Sequence, residues 1–109
     1  MEVSIKHNGI FTLEIKAVGR LDLDSAVEFG HKITDAIYDS EEDVKELLID
    51  FSEVTFISSY GLKVILELYK KMKEVEGSLK IKGVSEEIKK SFNLVGFNKF
   101  LELEWCLEQ

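Results

Sequence analysis

Two adjacent serines, Ser58 and Ser59, carry the clearest chemical possibility in the chain. An apolar run, Leu47-Leu48-Ile49-Asp50-Phe51, leads to them through Ser52-Glu53-Val54-Thr55-Phe56-Ile57, and Tyr60-Gly61-Leu62 follows. The run is too short for a helix and is bounded by polar residues, so it reads as a strand buried on both faces. After Gly61 the period changes. Leu62, Ile65, Leu66, Tyr69 and Met72 share one helical stripe, and Lys63, Glu67, Lys70, Lys73 and Glu74 lie opposite. The serines therefore stand where a strand and loop become a helix. The first N–H groups of a helix have no intrahelical partner and carry the positive end of its dipole. A hydroxyl there caps the helix, and a phosphate there is held well. The plainer reading of the same residues makes Ser58 an N-cap and Ser59 a first-turn residue with no chemistry.

Other chemistry has little to stand on. His7 and His31 fall in different elements, and no Cys or His cluster has metal-ligand spacing, so no metal is expected. Nothing ties either histidine to Ser58 or Ser59 as a base, and there is no Gly-rich phosphate loop. We expect no catalytic residues and no cofactor. Cys106 is alone, which precludes an internal disulfide and suits a reducing compartment.

Composition sets the frame around the serines. With 109 residues the chain reads as one domain over residues 1–109, able to bury roughly 65% of its unfolded surface. Hydrophobic residues at 45% and charged residues at 32% are globular values, and no apolar run is long enough for a membrane span. Met1-Glu2-Val3-Ser4-Ile5 lacks the basic start and apolar block of a signal peptide, so a cytoplasmic location is expected. A net charge of −7 argues against direct contact with nucleic acid and favours a protein partner with basic groups.

The elements that must position the serines can be read in order. Val3 and Ile5 alternate with polar neighbours, and Phe11, Leu13, Ile15 and Ala17 resume the alternation after Asn8-Gly9. That dipeptide predicts a hairpin closed by a type I′ turn. Gly19 is expected to end the second strand. Ser25-Ala26-Val27-Glu28 reads as a capping box that starts a helix, with Ala26, Phe29, Ile33, Ala36 and Ile37 on its apolar side. Gly30 in that helix suggests close approach to the sheet, and Asp39 to Asp43 form an acidic surface turn. Gly77 stops the helix after the serines. Leu79, Ile81 and Gly83 alternate with lysines as a strand, Ser85 caps a short helix bearing Ile88, Phe92 and Val95, and Gly96 ends it. Leu101, Leu103, Trp105 and Leu107 alternate with polar partners as a last strand. The order β-β-α-β-α-β-α-β predicts an α/β domain with a mixed, mostly parallel sheet of about five strands and an N-terminal hairpin.

Phe56-Ile57-Ser58-Ser59-Tyr60-Gly61-Leu62 resembles the signature of the STAS domain, the fold of bacterial anti-sigma factor antagonists, in which a strand and loop end in Asp-Ser-(Ser or Ala)-Gly-Leu before a helix. Gly19-Arg20-Leu21-Asp22 is similar to the family's Gly-x-Leu-Asp segment, and Leu94-Val95-Gly96-Phe97 to its late Leu-x-Gly-(Leu or Phe) turn. Three motifs in the right order cover nearly the whole chain.

The resemblance implies a single STAS-like domain that works by protein–protein contact. It puts Ser59 at the position phosphorylated by a partner kinase and Asp22 at the acidic residue near the partner interface. Ser58, Tyr60 and Gly61 fall in the same partner-binding segment. Ser58 stands where the family has Asp and Tyr60 where it has a small residue, so an acidic group is lost and bulk is added beside the hydroxyl. The implied partners are an anti-sigma factor that is itself a serine kinase and a serine phosphatase. The alternative is a ligand-binding or scaffold module of the same fold, in which both serines merely cap a helix. No oligomeric state follows from the residues.

Overall fold

A computed structural model describes residues 1–9, 11–40 and 43–94. The expected last strand at 101–107, Cys106, the Leu94-Val95-Gly96-Phe97 turn and the middle of the acidic turn fall wholly or in part outside the described residues. Seven elements follow in the order β1 (Glu2–His7), β2 (Thr12–Leu21), α1 (Leu23–Asp39), β3 (Glu46–Ile57), α2 (Ser59–Glu74), β4 (Ser78–Lys82) and α3 (Glu86–Leu94). Four of the expected strands form one sheet in the order β1-β2-β3-β4. The β1–β2 pair is antiparallel, and β2–β3 and β3–β4 are parallel. The result is the mixed, mostly parallel α/β architecture that the element order predicts.

The core lies on one face of the sheet. Leu13, Ile15 and Ala17 of β2, Leu47, Ile49 and Phe51 of β3, and Leu79 and Ile81 of β4 are buried against Ala26, Phe29 and Ile33 of α1 and Leu62, Ile65, Leu68 and Met72 of α2. Ile88 and Phe92 of α3 complete it, with the Phe92 ring stacked on Phe51 at 6.4 Å between centroids. The other face is polar. Cross-strand ion pairs Lys6–Glu14, Lys16–Glu53 and Lys80–Glu46 lie there, with Leu48 and Asp50 half-buried between them. The central strand is therefore not buried on both faces by the described residues, because Asp50 and its lysine neighbours keep the second face wet.

Several local expectations shift for identifiable reasons. Among the described residues of the β1–β2 connection only Gly9 has positive φ, and Asn8 N–H bonds to the Thr12 carbonyl at 2.9 Å, so a longer loop replaces the type I′ turn. Strand β2 runs past Gly19 to Leu21, and β3 runs through Ser52–Ile57 instead of breaking into loop. Relative to β2, β3 carries two extra residues, one between the Lys16–Asp50 and Val18–Glu53 pairs and one between Gly19–Val54 and Arg20–Phe56. Each bulge changes which face the next residue presents, so burial passes from Leu47, Ile49 and Phe51 to Val54 and Ile57 at spacings of three. Helix α2 buries Val64 and Leu68 while Leu66 and Tyr69 are only half-buried. Gly30 approaches α2 and not the sheet, since a Cβ on it would lie 3.0 Å from Val64 Cγ1. The left-handed residue that follows α2 lies one position before the expected Gly77. Glu76 takes the left-handed conformation at φ 58°, while Gly77 is needed for space, because a Cβ there would meet the Lys45 carbonyl oxygen at 2.5 Å.

Candidate functional site

Strands β2 and β3 finish level, with Leu21 paired to Ile57, and each passes directly into a helix. Asp22 is the N-cap of α1 and Ser58 the N-cap of α2. The Ser58 N–H donates to the Leu21 carbonyl at 2.9 Å, which locks the two junctions together. Two helix N-termini thus lie side by side at the carboxyl ends of two parallel strands, the position where open α/β sheets commonly bind their ligands. Both present backbone N–H groups and the positive ends of their dipoles.

The α1 cap starts three residues earlier than Ser25-x-x-Glu28 suggests. Asp22 Oδ1 accepts from the Ser25 N–H at 3.1 Å, Ser25 Oγ accepts from the Asp22 N–H at 2.9 Å, and the Ser25 hydroxyl is shared between the Arg20 carbonyl at 2.6 Å and Asp22 Oδ1 at 3.0 Å. Ser25 is thus the last residue of the capping box, at the third helical position, and not its first. Glu28 is left to pair with Lys32 at 3.0 Å. The Ser25 backbone N–H, then its hydroxyl, then the nearby Arg20 charge hold the Asp22 carboxyl below the usual aspartate value.

Ser58 and Ser59 differ in surroundings. Ser58 is half-buried, and its Oγ accepts from the Gly61 N–H at 3.1 Å. Its extended backbone, φ −85° and ψ 169°, is the usual N-cap geometry. Ser59 is the first helical residue and is exposed. Gly61 is buried, and a Cβ on it would lie 2.8 Å from Ile57 Cγ1 and 3.1 Å from Leu21 Cδ2. The glycine lets α2 start flush against the strand ends, so it supports the junction from beneath while Ser59 and Tyr60 face outward.

Around Ser59 the surface is apolar to a degree that the sequence reading missed. Leu23 is 55% exposed, Val27 36%, Phe56 38% and Tyr60 38%. Arg20 lies over the Phe56 ring, 4.3 Å from its centroid, and Lys63 over the Tyr60 ring at 5.5 Å. Val27 and Tyr60 also line one end of a groove of about 460 Å³ between α1 and α2, floored by Gly30, Val64 and Leu68. One signal was available. Leu23 and Val27 are apolar and four residues apart on a helix whose apolar stripe excludes them.

His31 lies in that groove at mid-α1, and His7 is at the end of β1 paired to the start of β2, away from the junctions. Neither makes a hydrogen bond to Ser58 or Ser59 among the described residues. Among those residues no three His, Cys, Asp or Glu side chains gather in a metal-binding group, and no helix is long and apolar enough to cross a membrane.

Known proteins share this fold. An anti-sigma-B factor antagonist of Bacillus subtilis is 25% identical over 103 residues, covering 94% of this chain and 90% of its own. The Bacillus cell fate determinant SpoIIAA in its phosphorylated form superimposes with a TM-score of 0.76 at 20% identity, over 99% of this chain and 92% of that one. An anti-sigma factor antagonist from Mycobacterium paratuberculosis gives 0.79 at 21% identity, over 98% and 84%. The STAS domain family model matches residues 3–107. The chain therefore belongs to the STAS domain family.

Proposed function

We propose that this chain is an anti-sigma factor antagonist switched by phosphorylation of Ser59. The unphosphorylated form binds an anti-sigma factor with serine kinase activity and so releases a sigma factor. The phosphorylated form lets go, and a serine phosphatase resets it. The observation that carries the reading is Ser59 itself: an exposed hydroxyl in the first turn of α2, beside a Ser58 already committed to capping. The surrounding Leu23, Phe56 and Tyr60 supply the exposed apolar area that a partner would cover. The names of the relatives give the same role to proteins of this fold.

In the forward step the kinase transfers the terminal phosphoryl group of ATP to Ser59 Oγ. The O–H bond breaks, its proton passes to a base on the kinase, and ADP leaves. In the reset the phosphatase directs water at phosphorus and returns the hydroxyl with inorganic phosphate. The charge change explains the switching. Phosphate adds about −1.5 to −2 charges. In the free domain the α2 dipole favours it by ~0.3–1 kcal/mol, so the fold survives. Burying the dianion against a partner without a matched cation costs several kcal/mol. At 1.4 kcal/mol per decade, about 3 kcal/mol weakens binding roughly a hundredfold.

Asp22 takes part as the neighbouring junction, and Ser58 keeps the N-cap role open to the aspartate that it replaces. The test is incubation with candidate cognate kinases and ATP, with phosphate mapped by mass spectrometry. Phosphate on Ser59, lost in Ser59→Ala, is the expected result. Its absence with every candidate leaves the second reading, a ligand-binding or scaffold module, which the α1–α2 groove beside Tyr60 favours.

A further inference from the structure

We propose that Lys63 is the built-in counter-cation of a phosphate on Ser59, and that its movement carries the modification state to Tyr60 and the α1–α2 groove. This rests on the reading of Ser59 as phosphoacceptor. Lys63 lies four residues after Ser59 on the same helix, the spacing at which side chains meet. Its ammonium sits over the Tyr60 ring, 5.5 Å from the centroid, and among the described residues it has no ion pair. Two other cations act on Asp22, Arg20, which is placed over Phe56, and the N-terminal ammonium of Met1. A phosphate would be added close to the Asp22 carboxylate, because Ser58 is bonded to the carbonyl of the residue before it. A dianion attracts an ammonium more strongly than a ring quadrupole does, so the phosphate draws Lys63 off Tyr60. The ring that lines the mouth of the groove is then uncovered and free to turn. Tyr60, one of the two residues that depart from the family pattern, thereby becomes a second reporter of the state of Ser59.

The test installs phosphoserine at position 59 during translation through an amber codon, in the wild-type chain and in Lys63→Met and Lys63→Arg. Phosphorus NMR follows the second ionisation of the phosphate, and proton NMR follows the Tyr60 ring over the same titration. The expected midpoint is about 0.3 units lower with Lys63 than with methionine. Arginine restores the low value. The Tyr60 ring signals move with the phosphate midpoint in wild type and Lys63→Arg and stay still in Lys63→Met. Equal midpoints in wild type and Lys63→Met, or ring signals indifferent to the phosphate, overturn the proposal. No kinase is needed, so a Ser59 that no kinase modifies would refute the earlier reading and leave this outcome unchanged.

Discussion

The Ser58 hydroxyl accepts the Gly61 N–H at 3.1 Å while Ser59, one residue on, faces water. Mutation should separate their roles. Ser58→Ala is expected to lower unfolding free energy by about 1 kcal/mol in urea titration, and Ser59→Ala to change it by less than about 0.5 kcal/mol. Ser58→Asp, which keeps a capping oxygen at a helix N-terminus, should match the wild type. Asp22 gives a prediction in pH. Its folded carboxyl is held below the unfolded value by the Ser25 N–H, the Ser25 hydroxyl and Arg20, so its contribution is complete above the unfolded pKa, about 4, and is lost as pH falls through the folded value. Urea midpoints of wild type and Asp22→Asn should therefore differ near pH 7, with the wild type higher, and converge as the pH falls through the folded value. Midpoints that diverge on acidification would contradict the capping role.

The end of α2 and the course of β3 are decided by how elements pack. Glu76 is held left-handed at the helix end, where a side chain is strained and glycine is not. Glu76→Gly should raise stability by up to about 1 kcal/mol, and Gly77→Ala should lower it, since the new methyl meets the Lys45 carbonyl oxygen at 2.5 Å. Thermal unfolding of the two variants checks both signs. A sequence reader assigns the stop to Gly77 because glycine is the usual left-handed residue, yet this glycine is retained for space. Likewise the period-two signal disappears after Phe51 because two bulges reset the pleat, and a strand without alternation looks like loop.

At the scale of the whole molecule, α3 is tied to the sheet through Phe92 on Phe51. Phe92→Ala should cost ~3–5 kcal/mol, a large part of the ~5–15 kcal/mol that holds a domain of this size together, and calorimetry should show a much lower melting temperature. The sequence by itself determined the order of the seven described elements, the inward stripe of α1 and the place of the serines at the start of a helix. Those features rest on local periodicity and on the unpaired N–H groups of a helix end. Only the tertiary structure decided that Asp22, and not Ser25, caps α1, because β2 runs on to Leu21 and the helix starts directly after it. It also decided that the Asp22 and Ser58 junctions lie together under Leu23, Phe56 and Tyr60. That follows from the Leu21–Ile57 register, a pairing across 36 residues that no local pattern encodes.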